Sequence, residues 1–107
     1  MVVKRGDVWR VALDSTGSRG ARKVRRCVVV SPPELHDFLG TVIVAPLTTS
    51  AKPAPFRIAL RIDGKAAMIL LEQVRTLDKT RLVSRVGAVS PATLRASLLA
   101  LQQTFAA

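Results

Sequence analysis

GSRGARKVRRCVVVSP, residues 17–32, passes within a few positions from a basic loop to a strand without charge. Five of the eight residues from Arg19 to Arg26 are cationic and none is acidic. RCVVVS (Arg26–Ser31) is then apolar and β-branched with no alternation, the pattern of a central strand covered on both faces. Like charges crowded at the lip of such a strand repel one another, so the loop gains nothing by folding alone; its composition predicts a polyanionic partner.

Working outward, DVWRVALD (Asp7–Asp14) alternates, with Val8, Arg10, Ala12 and Asp14 on one face and Trp9, Val11 and Leu13 on the other, which predicts a half-buried strand. On the other side, SPPELHDFLG carries two prolines that cannot donate to a ladder and reads as a loop with one helical turn. TVIVAPL (Thr41–Leu47) is a second central strand, followed by the polar loop TTSAKPAP. In FRIALRI (Phe56–Ile62), Arg57, Ala59 and Arg61 face solvent while Phe56, Ile58, Leu60 and Ile62 face inward; Trp9 and Phe56 both read as core. Asp63-Gly64 is a two-residue hairpin signal, and AAMILLEQV returns as the partner strand. TLDKTRLVSR predicts a short helix capped by Asp78, and VGAV a last short strand. Ser90-Pro91 then supplies an N-cap and a first-turn proline, and Leu94, Leu98, Leu101 and Phe105 recur at helical spacing as a core stripe. The sum is a curled, mostly antiparallel sheet of five to six strands with one long C-terminal helix.

A chain of 107 residues with 49% hydrophobic and 22% charged residues suits one domain over residues 1–107 and excludes a disordered or repetitive polymer. Seventeen Lys and Arg against 7 Asp and Glu give a net charge of +10, a field that attracts phosphates or acidic surfaces. Arginine outnumbers lysine, which favours planar, bidentate contacts. The single Cys27 forms no internal disulfide and suits a reducing compartment. The N-terminus lacks the apolar stretch of a signal peptide, and no apolar run approaches the roughly 20 residues a bilayer requires; a cytoplasmic protein without membrane contact is expected.

Inventory excludes most chemistries. With one histidine, His36, neither two-histidine acid–base cleavage within a chain nor a His-rich metal centre is available. Glu34, His36 and Asp37 in ELHD read as a solvated turn rather than a metal site, and no phosphate loop, dinucleotide fingerprint or Ser-His-Asp set is present; no metal or other cofactor is expected. Arginines and hydroxyls remain. RNA carries its own nucleophile in the 2′-hydroxyl, so it is cleaved by positioning that group and stabilising the transition state, where one well-placed donor is worth about 3–4 kcal/mol.

KRGDVWRVAL, a Gly-Ser and basic loop ending in VRRCVVVSP, VIVAPLTTS, and ILLEQVRTLDKTRL occur in that order and together resemble the MazF/PemK family of toxins over nearly the whole chain. The resemblance implies a small SH3-like barrel with helices (CcdB/PemK-like), a homodimer, sequence-selective and metal-independent cleavage of single-stranded mRNA, and neutralisation by a cognate antitoxin, which the charge of this chain predicts to be acidic. The family's catalytic arginine falls on Arg25, with Arg26 as its rival, and the catalytic threonine on Thr48, with Thr49 as its rival. Ser18, Arg19, Arg22, Lys23, Arg26 and Thr49 are candidate RNA contacts. So are Glu72 and Gln73, with an ion pair between Glu72 and an arginine as the plainer alternative. The chain departs from the pattern where Ser18 is followed by Arg19-Gly20 and Arg25 by Arg26 rather than proline. Two other classes stay open from sequence: a CcdB-like toxin that binds a protein target such as DNA gyrase, and a non-catalytic RNA-binding module.

Overall fold

The valines that dominate the central segments explain the fold: Val28, Val29, Val42 and Val44 are wholly buried, each on a strand with neighbours on both edges. The computed structural model describes residues 2–13 and 23–107. Within them run β1 (Asp7–Leu13), β2 (Lys23–Val29), α1 (Pro33–His36), β3 (Thr41–Thr48), β4 (Arg57–Ile62), β5 (Lys65–Leu70), β6 (Arg75–Asp78), β7 (Leu82–Ala88) and α2 (Pro91–Thr104). The strands pair antiparallel throughout, in the order β4-β5-β3-β2-β1-β7, with β6 also on β3. The result is the expected curled antiparallel half-barrel with a C-terminal helix.

The curl gives the sheet two apolar sides. Trp9, Val11, Cys27, Val29, Val42, Val44, Leu77 and Leu82 fill one cluster. Val8, Val28, Val30, Ala45, Leu47, Ile69, Leu71 and Ala100 fill the other, so successive residues of β1 and β2 feed opposite cores, as a period of two requires. Burying a Val, Leu or Ile side chain contributes roughly 1.5–3 kcal/mol, and most of the stabilisation resides in these two layers. β1 is therefore not half-buried as its alternation predicted: Val8 and Ala12 are as enclosed as Val11, and Arg10 alone among these neighbours reaches solvent.

Other expectations are corrected by neighbours the local pattern does not contain. There are seven strands among the described residues rather than five or six, because Asp78 caps only a single 3₁₀ turn, Lys79–Arg81, through Thr80 N and Oγ1 at 2.9 Å. Buried Leu77 and Leu82 hold the chain in strands on either side of it, where a short helix was predicted. The partner strand after the hairpin stops at Leu70 and passes into a 3₁₀ turn, Leu71–Gln73. Phe56 is 38% exposed and lies beneath the Arg57 guanidinium at 5.8 Å, since β4 is an edge strand paired only with β5. In α2 the fully buried residues are small, Ser97 and Ala100, which lets the helix approach the sheet closely. Leu94, Leu98 and Leu101 are half-buried, and Phe105, beyond the last helical turn, is 75% exposed rather than core.

Three local devices behave as their residue types require. Ser90 accepts from Thr93 N at 3.1 Å as the N-cap of α2, ahead of Pro91. Asp63 and Gly64 both adopt positive φ, 51° and 74°, the requirement of a two-residue type I′ hairpin. His36 is fully buried rather than solvated: Nε2 donates to Val3 O at 2.8 Å, and Nδ1 is hydrogen-bonded to Ser31 Oγ at 2.9 Å, which accepts from Ile43 N. Val3 O can only accept, which places a proton on Nε2, and both ring nitrogens are committed to protein partners. Asp7 is buried as well, accepting from Lys4 N at 2.9 Å, Arg85 Nε at 3.1 Å and Trp9 Nε1 at 3.4 Å. No helix among the described residues is long and apolar enough to cross a membrane.

Candidate active site

The ladder between β2 and β3 ends at Cys27 and Pro46, where the proline has no N–H to donate. Past that pair, Arg25 and Arg26 lie on β2 and Leu47 and Thr48 on β3. The Arg25 side chain bridges the two strands there, Nη2 donating to Leu47 O at 3.2 Å. It is half-buried, on the same face of β2 as Cys27. Burial pushes the Cys27 thiol up to about 11, against the opposing pull of the Arg25 and Arg75 charges.

Thr48 is half-buried at the end of β3, where its Oγ1 accepts from Ser50 N at 3.3 Å and lies 3.2 Å from Ser50 Oγ. This turn, closed by a side chain, fixes the hydroxyl's direction. Arg25, Arg26, Leu47, Thr48 and Thr49, with Ile62 and Ala67 from the β4–β5 hairpin, line one concavity of about 140 Å³. Neither a carboxylate nor an imidazole is among those lining residues. At its edge Arg26 Nη2 pairs with Asp63 Oδ2 at 2.7 Å.

Of the residues singled out in the sequence, Arg25, Arg26, Thr48 and Thr49 are thus brought together. Lys23 is exposed at the start of β2, outside that lining. Glu72 and Gln73 occupy the turn after β5 and are also outside it. The plainer alternative holds for Glu72: its Oε2 accepts from Arg57 Nε at 3.1 Å and Nη2 at 2.7 Å, and these bonds hold its carboxyl below the ordinary range. Arg57 Nη1 also donates to Lys52 O at 2.9 Å, tying down the loop that follows Thr48. Ser18, Arg19 and Arg22 lie outside the described residues. Sequence reasoning missed Ser50, Asp63 and Arg57. Thr-x-Ser after a strand is the signal for the first; Asp63 was read only for its turn chemistry, and Arg57 only as a solvent-facing residue.

A wider groove of about 490 Å³ runs beside α2, lined by apolar residues including Val30, Ile43, Leu98 and Leu101, with Arg5 and Arg75 at its edge. Its Ser31 hydroxyl is already committed to His36 and Ile43 N, so the smaller concavity is the better site for chemistry. Among the described residues no three His, Cys, Asp or Glu side chains gather as a metal site.

A curled half-barrel with a pinned guanidinium and an oriented hydroxyl in one basic concavity describes a small β-domain whose site chemistry suits an anionic ligand. The family model for PemK-like, MazF-like toxins of type II toxin–antitoxin systems matches residues 4–105, and the chain belongs to that family. It is 35% identical over 92 residues to the endoribonuclease EndoA of Bacillus subtilis, covering 80% of this chain and 79% of the relative. It is 32% identical over 95 residues to the endoribonuclease MazF of Staphylococcus epidermidis, covering 83% and 79%. Among solved structures, a MazE–MazF crystal structure from Deinococcus radiodurans superposes with a TM-score of 0.84 at 21% identity, covering 97% of this chain and 96% of that one. MazF alone from the same organism gives 0.82 at 20% identity, covering 100% and 99%. These likenesses carry the fold.

Proposed function

We propose that this protein is the toxin of a type II toxin–antitoxin pair and a metal-independent, sequence-selective endoribonuclease of single-stranded mRNA, with Arg25 and Thr48 as its catalytic residues. The observation that carries the reading is the juxtaposition of Arg25, bonded to Leu47 O, with the Thr48 hydroxyl in one concavity. Family membership and relatives named as endoribonucleases support it.

The reaction requires little more than these groups. The ribose O2′ attacks the adjacent phosphorus and gives its proton to water; the O2′–P bond forms, the P–O5′ bond breaks, O5′ takes a proton from water, and the products are a 2′,3′-cyclic phosphate and a 5′-hydroxyl. Negative charge builds on the non-bridging oxygens as phosphorus becomes five-coordinate. Arg25 remains protonated and presents a planar fork to that charge, a contribution that mutational experience places at about 10²–10³ in rate per donor. Thr48 orients the phosphate or the 2′-hydroxyl. Because the described lining offers no base, catalysis leans on the transition-state contact rather than on proton abstraction by a strong base.

Lys23 and Arg26 extend the basic surface along β2 and Thr49 adds a hydroxyl after β3, with Ser18, Arg19 and Arg22 assigned to RNA contact from sequence. A net charge of +10 favours an acidic antitoxin segment that occupies the RNA path by mimicry, and the crystallised MazE–MazF pair of Deinococcus radiodurans supports such a partner. A homodimer acting in the cytoplasm completes the reading.

The test is incubation of the purified protein with unstructured RNA in EDTA, beside Arg25→Ala. Cutting by the wild type and none by the variant, with its circular dichroism intact, is expected. Growth arrest without RNA cleavage would instead favour a toxin that binds a protein target, and RNA binding without cleavage a non-catalytic module.

A further inference from the structure

Arg10 and Arg26 stand directly opposite each other across the β1–β2 ladder, both exposed, on the face of β2 away from Arg25. Like charges placed so in an antiparallel pair are destabilising, and an anion between them relieves the repulsion. In the free protein one carboxylate does this in part. Asp63, carried in by the left-handed turn between β4 and β5, pairs with Arg26 at 2.7 Å, the two side chains being 59% and 43% exposed. Arg10 has no ion-pair partner among the described residues. Ile62 and Ala67 of the same hairpin wall the concavity that Arg26 shares with Arg25 and Thr48, so the pair sits beside the proposed reaction centre.

An ion pair this exposed is weak, and a phosphate offers arginine more charge and a bidentate fit. We propose that Arg26 and Arg10 form a second phosphate position next to the one at Arg25, and that Asp63 is its resting counter-ion, displaced when the RNA backbone arrives. This rests on the RNA reading above and divides the labour within it: Arg25 acts on the phosphate to be cut, and Arg26 with Arg10 holds a neighbouring one. Asp63 then sets how tightly the strand is held, because RNA must first outcompete it. An exposed pair leaves the arginine available between about two-fifths and one-sixth of the time, so removing the carboxylate tightens binding roughly two- to sixfold at low salt. The gain shrinks as salt screens the pair.

Asp63→Asn isolates the charge, because Asn-Gly is itself a preferred type I′ turn. The experiment measures equilibrium binding of a short, mixed-sequence single-stranded 2′-fluoro RNA, which lacks the attacking hydroxyl. The proteins are the wild type, Asp63→Asn, Arg26→Gln, the double variant and Arg10→Gln, at low and high salt, with circular dichroism to establish folding. Expected are a two- to sixfold tighter Kd for Asp63→Asn at low salt, loss of that gain when Arg26 is Gln, and weaker binding for Arg10→Gln. An equal gain with and without Arg26 would reduce Asp63 to a general charge effect and overturn the proposal, as would no gain. A wild type that binds the probe yet fails to cut ordinary RNA removes the catalytic reading and leaves this site to be decided by the same variants; one that does not bind the probe overturns both.

Discussion

Arg25 on β2 and Thr48 on β3 line one concavity just past the last backbone pair of those strands, Cys27 and Pro46, and the Arg25 guanidinium donates to the carbonyl oxygen of Leu47, the residue before Thr48, at 3.2 Å. A proline that ends a ladder thus leaves two strand ends joined by a side chain, which seats a permanent positive charge beside an oriented hydroxyl.

The hydroxyl's orientation depends on Ser50, so the two residues are expected to act in sequence. Thr48→Val, which keeps the shape and removes the oxygen, should lower single-turnover cleavage on the order of a hundredfold, the cost of misplacing a reacting group. Thr48→Ser should retain most of the rate, and Ser50→Ala should cost only a few-fold. Single-turnover rates at saturating protein separate these from effects on binding; a Thr48→Val protein as fast as the wild type would remove Thr48 from the mechanism.

Asp7 is the buried charge on which the opposite end of the sheet depends. It satisfies Lys4 N, the Trp9 indole and the Arg85 guanidinium together, so Asp7→Ala leaves three donors short of an acceptor. A loss of about 3 kcal/mol is expected from urea unfolding. Arg85→Ala should cost less, because that side chain is about half exposed and its site refills with water.

Cys27 should be chemically silent in the folded protein. Its thiol, pushed up to about 11 by burial, is protonated at neutral pH and shielded, so a thiol reagent at pH 8 should label it only as fast as the protein opens. The fold favours the neutral thiol, so its contribution to stability is complete below pH 9 and disappears as pH rises from 9 toward 11. Arg25→Ala, by removing a charge that favours the thiolate, should move the titration higher still; ultraviolet absorbance of the thiolate reads it directly.

The strands around the site were legible because Cys27–Val30 and Val42–Val44 are continuous, short, β-branched apolar runs, the pattern of strands covered on both faces, and the Asp63-Gly64 turn because its left-handed backbone narrows the residue choice so strongly. What escaped depends on partners far along the chain. His36 looks like a loop residue until Ser31 and Val3 O close around it. The stripe of large residues marks only the flank of the buried helix face: Leu101 packs on the core and Leu94 and Leu98 are half-buried, while the centre is held by Ser97 and Ala100, whose smallness lets α2 lie against the sheet. In the site, Arg25 and Thr48 were reached through family resemblance on flanking motifs. Their shared concavity, the Ser50 turn and the Asp63 pairing are facts of the folded chain that no local periodicity encodes.

The central claim is that Arg25 stabilises attack by the RNA's own 2′-hydroxyl, and the ends of the products report it most directly. Cleavage of a defined single-stranded RNA in chelator, followed by end-group mapping, should give 2′,3′-cyclic phosphate and 5′-hydroxyl termini, with Arg25→Ala slower by about a hundred- to a thousandfold. Termini bearing 3′-hydroxyl and 5′-phosphate, or an Arg25→Ala protein that cuts at the wild-type rate, would contradict it.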